Sequence, residues 1–217
     1  MYLVSLAVLC DLSKAFDCLP HVTIISKLEY YGIRDTDLQL IQSYLSNRMQ
    51  SVHINGTYSN FSVVGTGVPQ GSVLGPLLFL IMNNDFPGNV RCETILFADD
   101  TTLYNSNPDI NFLNRTISDS FIEASHWFTA NGLSLNASKT QRILFSLKNT
   151  LNSNCCNMTV PNVKLLGIII DSKLTWDSHI DMICCKLARV IHLLRHLKPL
   201  VPKQYLKTAY FAFLIVY

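Results

Sequence analysis

Residues 95–104 read ILFADDTTLY, with the aspartate pair Asp99-Asp100 between two short apolar runs that favour strands. Two strands joined by so short a connection form a hairpin, and the aspartates then lie at its tip. A second apolar run, SLAVLCD at 5–11, also predicts a strand and ends at a third aspartate, Asp11. If this strand lies beside the hairpin, three carboxylates meet at one end of a sheet.

Carboxylates that lie this close together repel each other. Two of them about 4 Å apart repel by roughly 4 kcal/mol at an effective dielectric constant of about 20. A divalent cation offsets that repulsion, and a site made only of oxygen ligands favours Mg²⁺ or Mn²⁺ over zinc. In-line phosphoryl transfer uses two such ions, one for the attacking oxygen and one for the leaving oxygen. The pattern therefore predicts a two-metal site.

The aspartate doublet alone is weak evidence, because twelve aspartates in this chain give roughly 0.7 such pairs by chance. Its structural alternative is a solvated turn. The order and spacing of five longer blocks are much more specific. These blocks are DLSKAFDCLPH at 11–21, GVPQGSVLGPLLFLIMNND at 67–85, FADD at 97–100, GLSLNASKTQRILF at 132–145 and VKLLGIIIDSKLTWDSHI at 163–180.

In this order the blocks resemble those of reverse transcriptases, and more narrowly the palm region of jockey-like, non-LTR retrotransposon polymerases. The resemblance runs from Asp11 to His179. It implies an α+β polymerase palm, with a mostly antiparallel sheet and helices packed on one face. It also implies an RNA-directed DNA polymerase, a nucleotidyltransferase that adds a nucleotide from a dNTP to a primer 3′-OH. The implied partners are an RNA template, a DNA primer and two Mg²⁺ or Mn²⁺ ions.

The resemblance assigns catalytic roles to four residues. Asp11 and Asp99 would be metal ligands, and Asp100 would support them electrostatically or contact a metal or the primer end. Lys139 matches a lysine that would protonate the leaving pyrophosphate or steady the phosphates, since a cation there counters developing negative charge. The alternative for Lys139 is an ordinary surface lysine.

Five further residues would contact the substrates. Phe16 would lie under the sugar of the incoming nucleotide and exclude a ribose 2′-OH by steric clash, or it is simply a core residue. Gln70 and Gly71 would lie near the sugar and the template base, or this turn only caps a helix. Leu166 and Gly167 would form a hairpin that presses the primer end toward the metals, or a plain strand with glycine at a bulge.

The resemblance and the hydrophobic periodicity together predict two regions. Residues 1–172 would form the palm, with residual fingers helices inside 21–65, and residues 173–217 a partial helical thumb or connection. Predicted helices cover about 21–31, 36–47, 71–84, 109–130 and 177–197, and predicted strands about 4–10, 93–105, 141–147 and 164–170, with a hairpin at Asn55-Gly56. The helix at 71–84 is apolar nearly all round, so we expect it to be buried, and we expect Trp176 to be a core residue. The helix at 109–130 carries an apolar stripe, whose members are Leu113, Ile117, Phe121, Ala124 and Phe128.

Compared with the family pattern, the fingers strands expected before Asp11 are missing and the thumb is cut short at Tyr217. The endonuclease region and the Cys/His nucleic-acid module common in such elements are also missing. We therefore expect a fragment of a larger polyprotein. The alternative from another class is a catalytically inactive retroelement remnant that at most binds nucleic acid. An intron-encoded maturase shares the palm but is disfavoured, because its other domains are missing.

Composition supports a folded, intracellular protein. The chain is 49% hydrophobic and 15% charged, which argues against disorder. Its seven cysteines include no CxxC pair, so neither a disulfide framework nor a zinc site is indicated, and a nuclear or cytoplasmic location is expected. No membrane segment is expected.

Residues 182–217 carry six basic and no acidic residues, which suits either contact with a phosphate backbone or a solvated helix face.

Overall fold

The computed structural model describes residues 3–147 and 159–214. In chain order its elements are β1 (Val4–Cys10), α1 (Ala15–Cys18), α2 (His21–Tyr30), α3 (Asp35–Leu45), β2 (Met49–Gln50), β3 (His53–Ile54), β4 (Thr57–Tyr58), β5 (Ser62–Val63), α4 (Leu74–Asn83), a 3₁₀ helix (Phe86–Asn89), β6 (Glu93–Phe97), β7 (Asp100–Asn107), α5 (Ile110–Ala130), β8 (Gln141–Phe145), β9 (Asn162–Leu165), β10 (Ile168–Asp171), α6 (Asp177–Leu197) and α7 (Lys203–Leu214).

The central sheet has four strands in the order β6, β7, β1 and β8. Strand β7 pairs antiparallel with both β6 and β1. Alternate residues of a strand point to the same face of the sheet, and Val4, Leu6, Val8 and Cys10 of β1 are all buried. This face therefore contributes to the core, and β1 is the sheet's central apolar strand.

Helix α5 packs against β1 and β7. The stripe predicted for this helix is confirmed, because four of its five members are buried and the fifth is partly buried against the same core. The members of this stripe are Leu113, Ile117, Phe121, Ala124 and Phe128. Near the end of α5, the rings of Trp127 and Phe128 pack on Phe86, with centroids 5.0 and 4.9 Å away. The α+β class with an antiparallel sheet is thus confirmed.

The predicted hairpin at Asn55-Gly56 is confirmed, since β3 and β4 pair antiparallel around these two residues. Both have positive φ angles, 49° and 82°, as a two-residue turn of the mirror-image type requires. The flanking β2 and β5 also pair with each other. Residues 49–63 therefore form one extended hairpin, most of whose side chains are exposed.

Helix α4 differs from its prediction in two ways. It begins at Leu74 rather than Gly71, because Gly71 has a φ angle of +77° that a right-handed helix excludes. The helix was also expected to be buried on all sides, and this is wrong. Leu78, Phe79 and Met82 are buried, whereas Leu77 and Leu80 are about half exposed.

Residues 145–147 and 160–214 form a second compact unit, separate from the first unit at 3–144 and 159. The division falls before the predicted boundary at residue 172, because the β9–β10 hairpin groups with α6. Ile169 N–H donates to His179 Nδ1 at 3.4 Å, and Asp171 holds the start of α6. Whether the two units correspond to a palm and a thumb stays a prediction.

Trp176 was expected to be a core residue, and this is wrong. Its side chain is 43% exposed, and it precedes α6 with a φ angle of +68°. The reason is local, since the chain turns sharply between β10 and α6 and directs this residue outward. Among the described residues, no helix combines the length and the apolar composition needed to cross a membrane.

Candidate active site

The β6–β7 turn presents the aspartate pair. Phe97 pairs with Asp100 across the hairpin, so that Ala98 and Asp99 form its two-residue tip. Ala98 has a φ angle of +51°, which is sterically unfavourable for a residue with a Cβ atom. The tight turn keeps Asp99 and Asp100 adjacent at the end of the sheet, as the sequence predicted.

Asp11 lies beside this turn because of the strand register. Cys10 of β1 pairs with Thr101 of β7 in the antiparallel sheet. Asp11 follows Cys10 and Asp100 precedes Thr101, so the two aspartates lie beside each other at the end of the strand pair. Partial burial raises the pKa of Asp100, and the nearby negative charges of Asp99 and Asp11 raise it further. The structure thus brings together the three carboxylates that the sequence singled out.

The donor chemistry of this acidic end fits a hard divalent cation. Its ligand atoms are carboxylate oxygens, the type that Mg²⁺ and Mn²⁺ prefer, and they repel one another when no cation is bound. The neighbouring Cys10 is buried in the core, and burial raises the pKa of its thiol to about 12. As the side chains stand, however, no three His, Cys, Asp or Glu residues within 3–147 and 159–214 form a group that could hold a metal ion.

Lys139 reaches the same end of the sheet through a separate backbone contact. Asn136 N–H donates to Asp11 O at 2.8 Å, and Ser13 N–H donates to Ser134 O, also at 2.8 Å. These bonds place Lys139 Nζ 3.7 Å from Asp11 Oδ2. The ion pair is exposed and long, so it adds little stability. Its importance is positional, because it places a cation beside the carboxylates.

Phe16 lies five residues beyond Asp11 and is partly buried. Its ring packs on that of Phe79 from α4, with centroids 4.7 Å apart. Phe16 O also accepts a hydrogen bond from Val68 N–H at 2.9 Å. Phe16 packs on the core and stays partly accessible to solvent. The geometry is therefore compatible with both the substrate role and the packing role considered for this residue.

Gln70 and Gly71 lie in the loop before α4. Gln70 Nε2 donates to Asp17 Oδ1 at 2.9 Å, and Gly71 has open space around its α-carbon. The capping function of the loop belongs to Ser72, whose Oγ accepts from Gly75 N–H at 3.0 Å. The turn therefore does cap the helix, through Ser72 and not through Gln70, and the substrate role of Gln70 stays a prediction.

Leu166 and Gly167 form the turn between β9 and β10, in the second unit. Leu165 pairs with Ile168, and the two turn residues have φ angles of +48° and +89°. Leu166 is half exposed. The predicted strand is therefore a tight two-stranded hairpin, and glycine occupies its turn rather than a bulge.

Sequence reasoning missed Asp17, Lys14 and Arg48, which line a cavity together with Gln70. Asp17 and Lys14 lie inside the DLSKAFD block, so their proximity to Asp11 in sequence was an available signal. Arg48 had none, because it reaches the cavity from a distant segment of the chain.

Comparison with known proteins matches residues 4–170 to the family model "Reverse transcriptase (RNA-dependent DNA polymerase)". Two curated relatives come from Drosophila melanogaster. The probable RNA-directed DNA polymerase from transposon BS is 31% identical over 80% of this chain and 21% of its own length. The corresponding protein from transposon X-element is 30% identical over 82% of this chain and 20% of its own length.

The RNA-directed DNA polymerase from mobile element jockey of Drosophila funebris is 29% identical, over 78% of this chain and 20% of its own length. The chain thus spans about a fifth of these relatives. A solved apo telomerase from Candida tropicalis has a similar fold, with a TM-score of 0.58 at 16% identity, covering 80% of this chain and 35% of that one. The predicted resemblance is confirmed, and the chain belongs to the reverse transcriptase family, as a domain homologous to non-LTR retrotransposon RNA-directed DNA polymerases.

Proposed function

We propose that this chain supplies the catalytic palm of an RNA-directed DNA polymerase, which joins a dNTP to a primer 3′-OH on an RNA template. The observation that carries the proposal is the register that sets Asp11 alongside Asp100, with Asp99 in the adjoining turn. Family membership supports the use of divalent cations. The two ions and the individual residue roles are part of the proposal.

Each residue at the acidic end would have a separate task. Asp11 and Asp99 would hold the cations, and Asp100 would add negative charge that strengthens their binding. When bound, two divalent cations would activate the primer hydroxyl and stabilise the leaving oxygen. Lys139, already within 3.7 Å of Asp11, would neutralise charge on the phosphates or donate a proton to the leaving pyrophosphate.

Phe16 and Gln70 would contact the sugar of the incoming nucleotide. The partly buried Phe16 ring is supported from behind by Phe79, so it would resist displacement by a ribose 2′-OH. Gln70 is oriented by its bond to Asp17 and would reach the sugar or the template base. The Leu166-Gly167 turn would position the primer end, in line with its tight backbone geometry.

Primer extension on poly(rA)/oligo(dT), with Mg²⁺ or Mn²⁺, tests the proposal. We expect Asp11→Ala and Asp99→Ala to abolish nucleotide addition while the far-UV circular dichroism stays unchanged. Asp119→Ala is the matched control, because Asp119 is exposed on α5, and it should retain wild-type activity. The same variants should be compared in a longer version of the chain to which a fingers region has been joined. Activity that survives Asp99→Ala in either version would contradict the proposal.

The second candidate is a non-catalytic chain that only binds nucleic acid. The observation that favours it is the basic segment at 182–217, which carries six basic and no acidic residues and suits contact with a phosphate backbone. RNA binding without metal-dependent extension, in both the short and the longer version, would support this candidate over the first.

A further inference from the structure

A polar cavity of about 550 Å³ lies in the first unit. Its lining does not include Asp99 or Asp100 of the β6–β7 turn. Three chain segments surround it. They are the beginning of α1 at Lys14 and Asp17, the beginning of the extended hairpin at Arg48 and Gln50, and the segment from Val63 to Gln70. The cavity is therefore built by the fold and not by one local loop.

Its charged lining favours an anion. Lys14 and Arg48 each lack a carboxylate partner, because the ion pairs found within 3–147 and 159–214 join other residues. Arg48 Nη1 makes only a long bond, 3.4 Å, to Gly67 O, which leaves most of the guanidinium donors available. The carboxylate of Asp17 also lines the cavity and accepts a bond from the Gln70 amide, so the charged lining consists of two cations and one anion.

The backbone of the cavity is fixed before any ligand arrives. Gly67 N–H donates to Leu19 O at 2.8 Å, and Val68 N–H donates to Phe16 O at 2.9 Å. Thr66 Oγ1 donates to Asp17 O at 3.1 Å. These bonds hold the 66–68 segment against α1 and Leu19. A preformed site loses less conformational freedom on binding than a mobile one.

The hairpin that continues from Arg48 carries exposed rings. His53 and Tyr58 stack with their centroids 4.2 Å apart, and Tyr58 and Phe61 are each about two-thirds exposed. Cationic groups that bind the backbone, next to exposed rings on which bases stack, are the common features of single-strand binding surfaces. A free nucleotide would have no need of this second surface.

We propose that the cavity binds a backbone phosphate of single-stranded RNA, with Lys14 and Arg48 as the cationic contacts and the 49–63 hairpin as the adjoining surface for bases. That this RNA is the template rests on the proposed function. Binding itself requires neither metal nor dNTP, so it can be measured separately from polymerase activity.

The test is fluorescence anisotropy of a short labelled single-stranded RNA, in EDTA, between about 50 and 200 mM KCl. Lys14→Ala and Arg48→Ala should each weaken binding by roughly threefold to tenfold and reduce the slope of log K against log salt by about 0.7. Arg48→Lys should keep the slope, because it keeps the charge. Arg115→Ala, which removes an exposed cation from α5, should change neither quantity.

Thermal unfolding of each variant shows whether the fold is intact, and a change of salt slope does not arise from lost packing alone. Wild-type slope and affinity in both alanine variants would overturn the proposal, as would a wild-type chain that binds no RNA. If Arg48→Ala weakens dNTP binding and leaves RNA binding unchanged, the cavity serves the nucleotide and the proposal is wrong. Because the assay contains no metal, its failure is independent of the polymerase test.

Discussion

Two residues at the acidic end of the sheet lower the stability of the fold. Ala98 adopts a left-handed conformation in the turn, and Asp100 carries its charge near those of Asp99 and Asp11. Strained backbone and unfavourable charge pairs are concentrated at functional sites more often than elsewhere. Removing the charge should therefore stabilise the fold at the expense of the proposed activity.

Asp100→Asn tests this trade-off. Because the pKa of Asp100 is raised in the folded state, ionisation destabilises the fold, and stability falls as pH rises through that pKa. The amide should therefore raise the free energy of unfolding at pH 7, by a few tenths to about 1 kcal/mol because solvent screens this exposed group. Urea unfolding measures the change, with Asp119→Asn as the control. A less stable Asp100→Asn variant would contradict this account.

Gly67 is a second residue whose identity is fixed by its surroundings. A Cβ atom there would lie 2.6 Å from Asp17 O, and the φ angle is +78°. Gly67→Ala should lower the free energy of unfolding by about 2 kcal/mol or more. At Gly56, φ is positive but the space for a Cβ atom is open, so Gly56→Ala should lower the free energy of unfolding by about 1 kcal/mol. Gly65→Ala should leave it nearly unchanged. Equal effects at Gly67 and Gly56 would show that the close approach to Asp17 does not matter.

At the scale of elements, α6 depends on the turn that precedes it. None of its described residues is buried, so packing fixes its start only weakly. The Asp171 carboxylate accepts backbone N–H bonds from Lys173, Thr175 and Trp176, at 3.0, 3.0 and 2.7 Å. These bonds favour the ionised form and hold the pKa of Asp171 below its usual value.

This turn should therefore loosen in acid. With a folded pKa below the unfolded value of about 3.9, the contribution of Asp171 is complete above that value and is lost as pH falls through the folded pKa. Trp176 emission, recorded in a Trp127→Phe background, should change below about pH 4. Asp171→Asn should show the altered emission already at neutral pH. An Asn variant with wild-type emission at pH 7 would exclude this role for the carboxylate.

Hydrophobic periodicity predicted the existence and bounds of most elements, including α6 at 177–197 to the residue. The expected burial of α4, which rested on its apolar composition, was wrong, as was the expected burial of Trp176. Periodicity reports how apolar residues repeat along a helix, whereas burial depends on which other segments cover that helix. For the same reason, the exposed side of α4 has no signal in its own sequence.

Across the whole molecule, the sequence predicted the parts of the site that depend on motif order. Asp11 and the Asp99-Asp100 pair were found because strand ends and a tight turn place them predictably. The approach of Lys139 to Asp11 depends on the pairing of residues 134–136 with 11–13, which no local pattern specifies. The cavity around Arg48 was missed because it forms where the paired ends of the 49–63 hairpin meet Lys14 and Asp17, and no local pattern specifies that approach.

We propose that the acidic end of the sheet holds divalent cations. Titration of the chain with Mn²⁺, in which electron paramagnetic resonance reports the free ion, tests this directly and does not depend on polymerase activity. The wild-type chain should bind Mn²⁺, and Asp11→Asn and Asp99→Asn should each weaken binding by about tenfold or more, whereas Asp119→Asn should leave it unchanged. Equal Mn²⁺ affinity in the wild type and in the Asp11 and Asp99 variants would contradict the account.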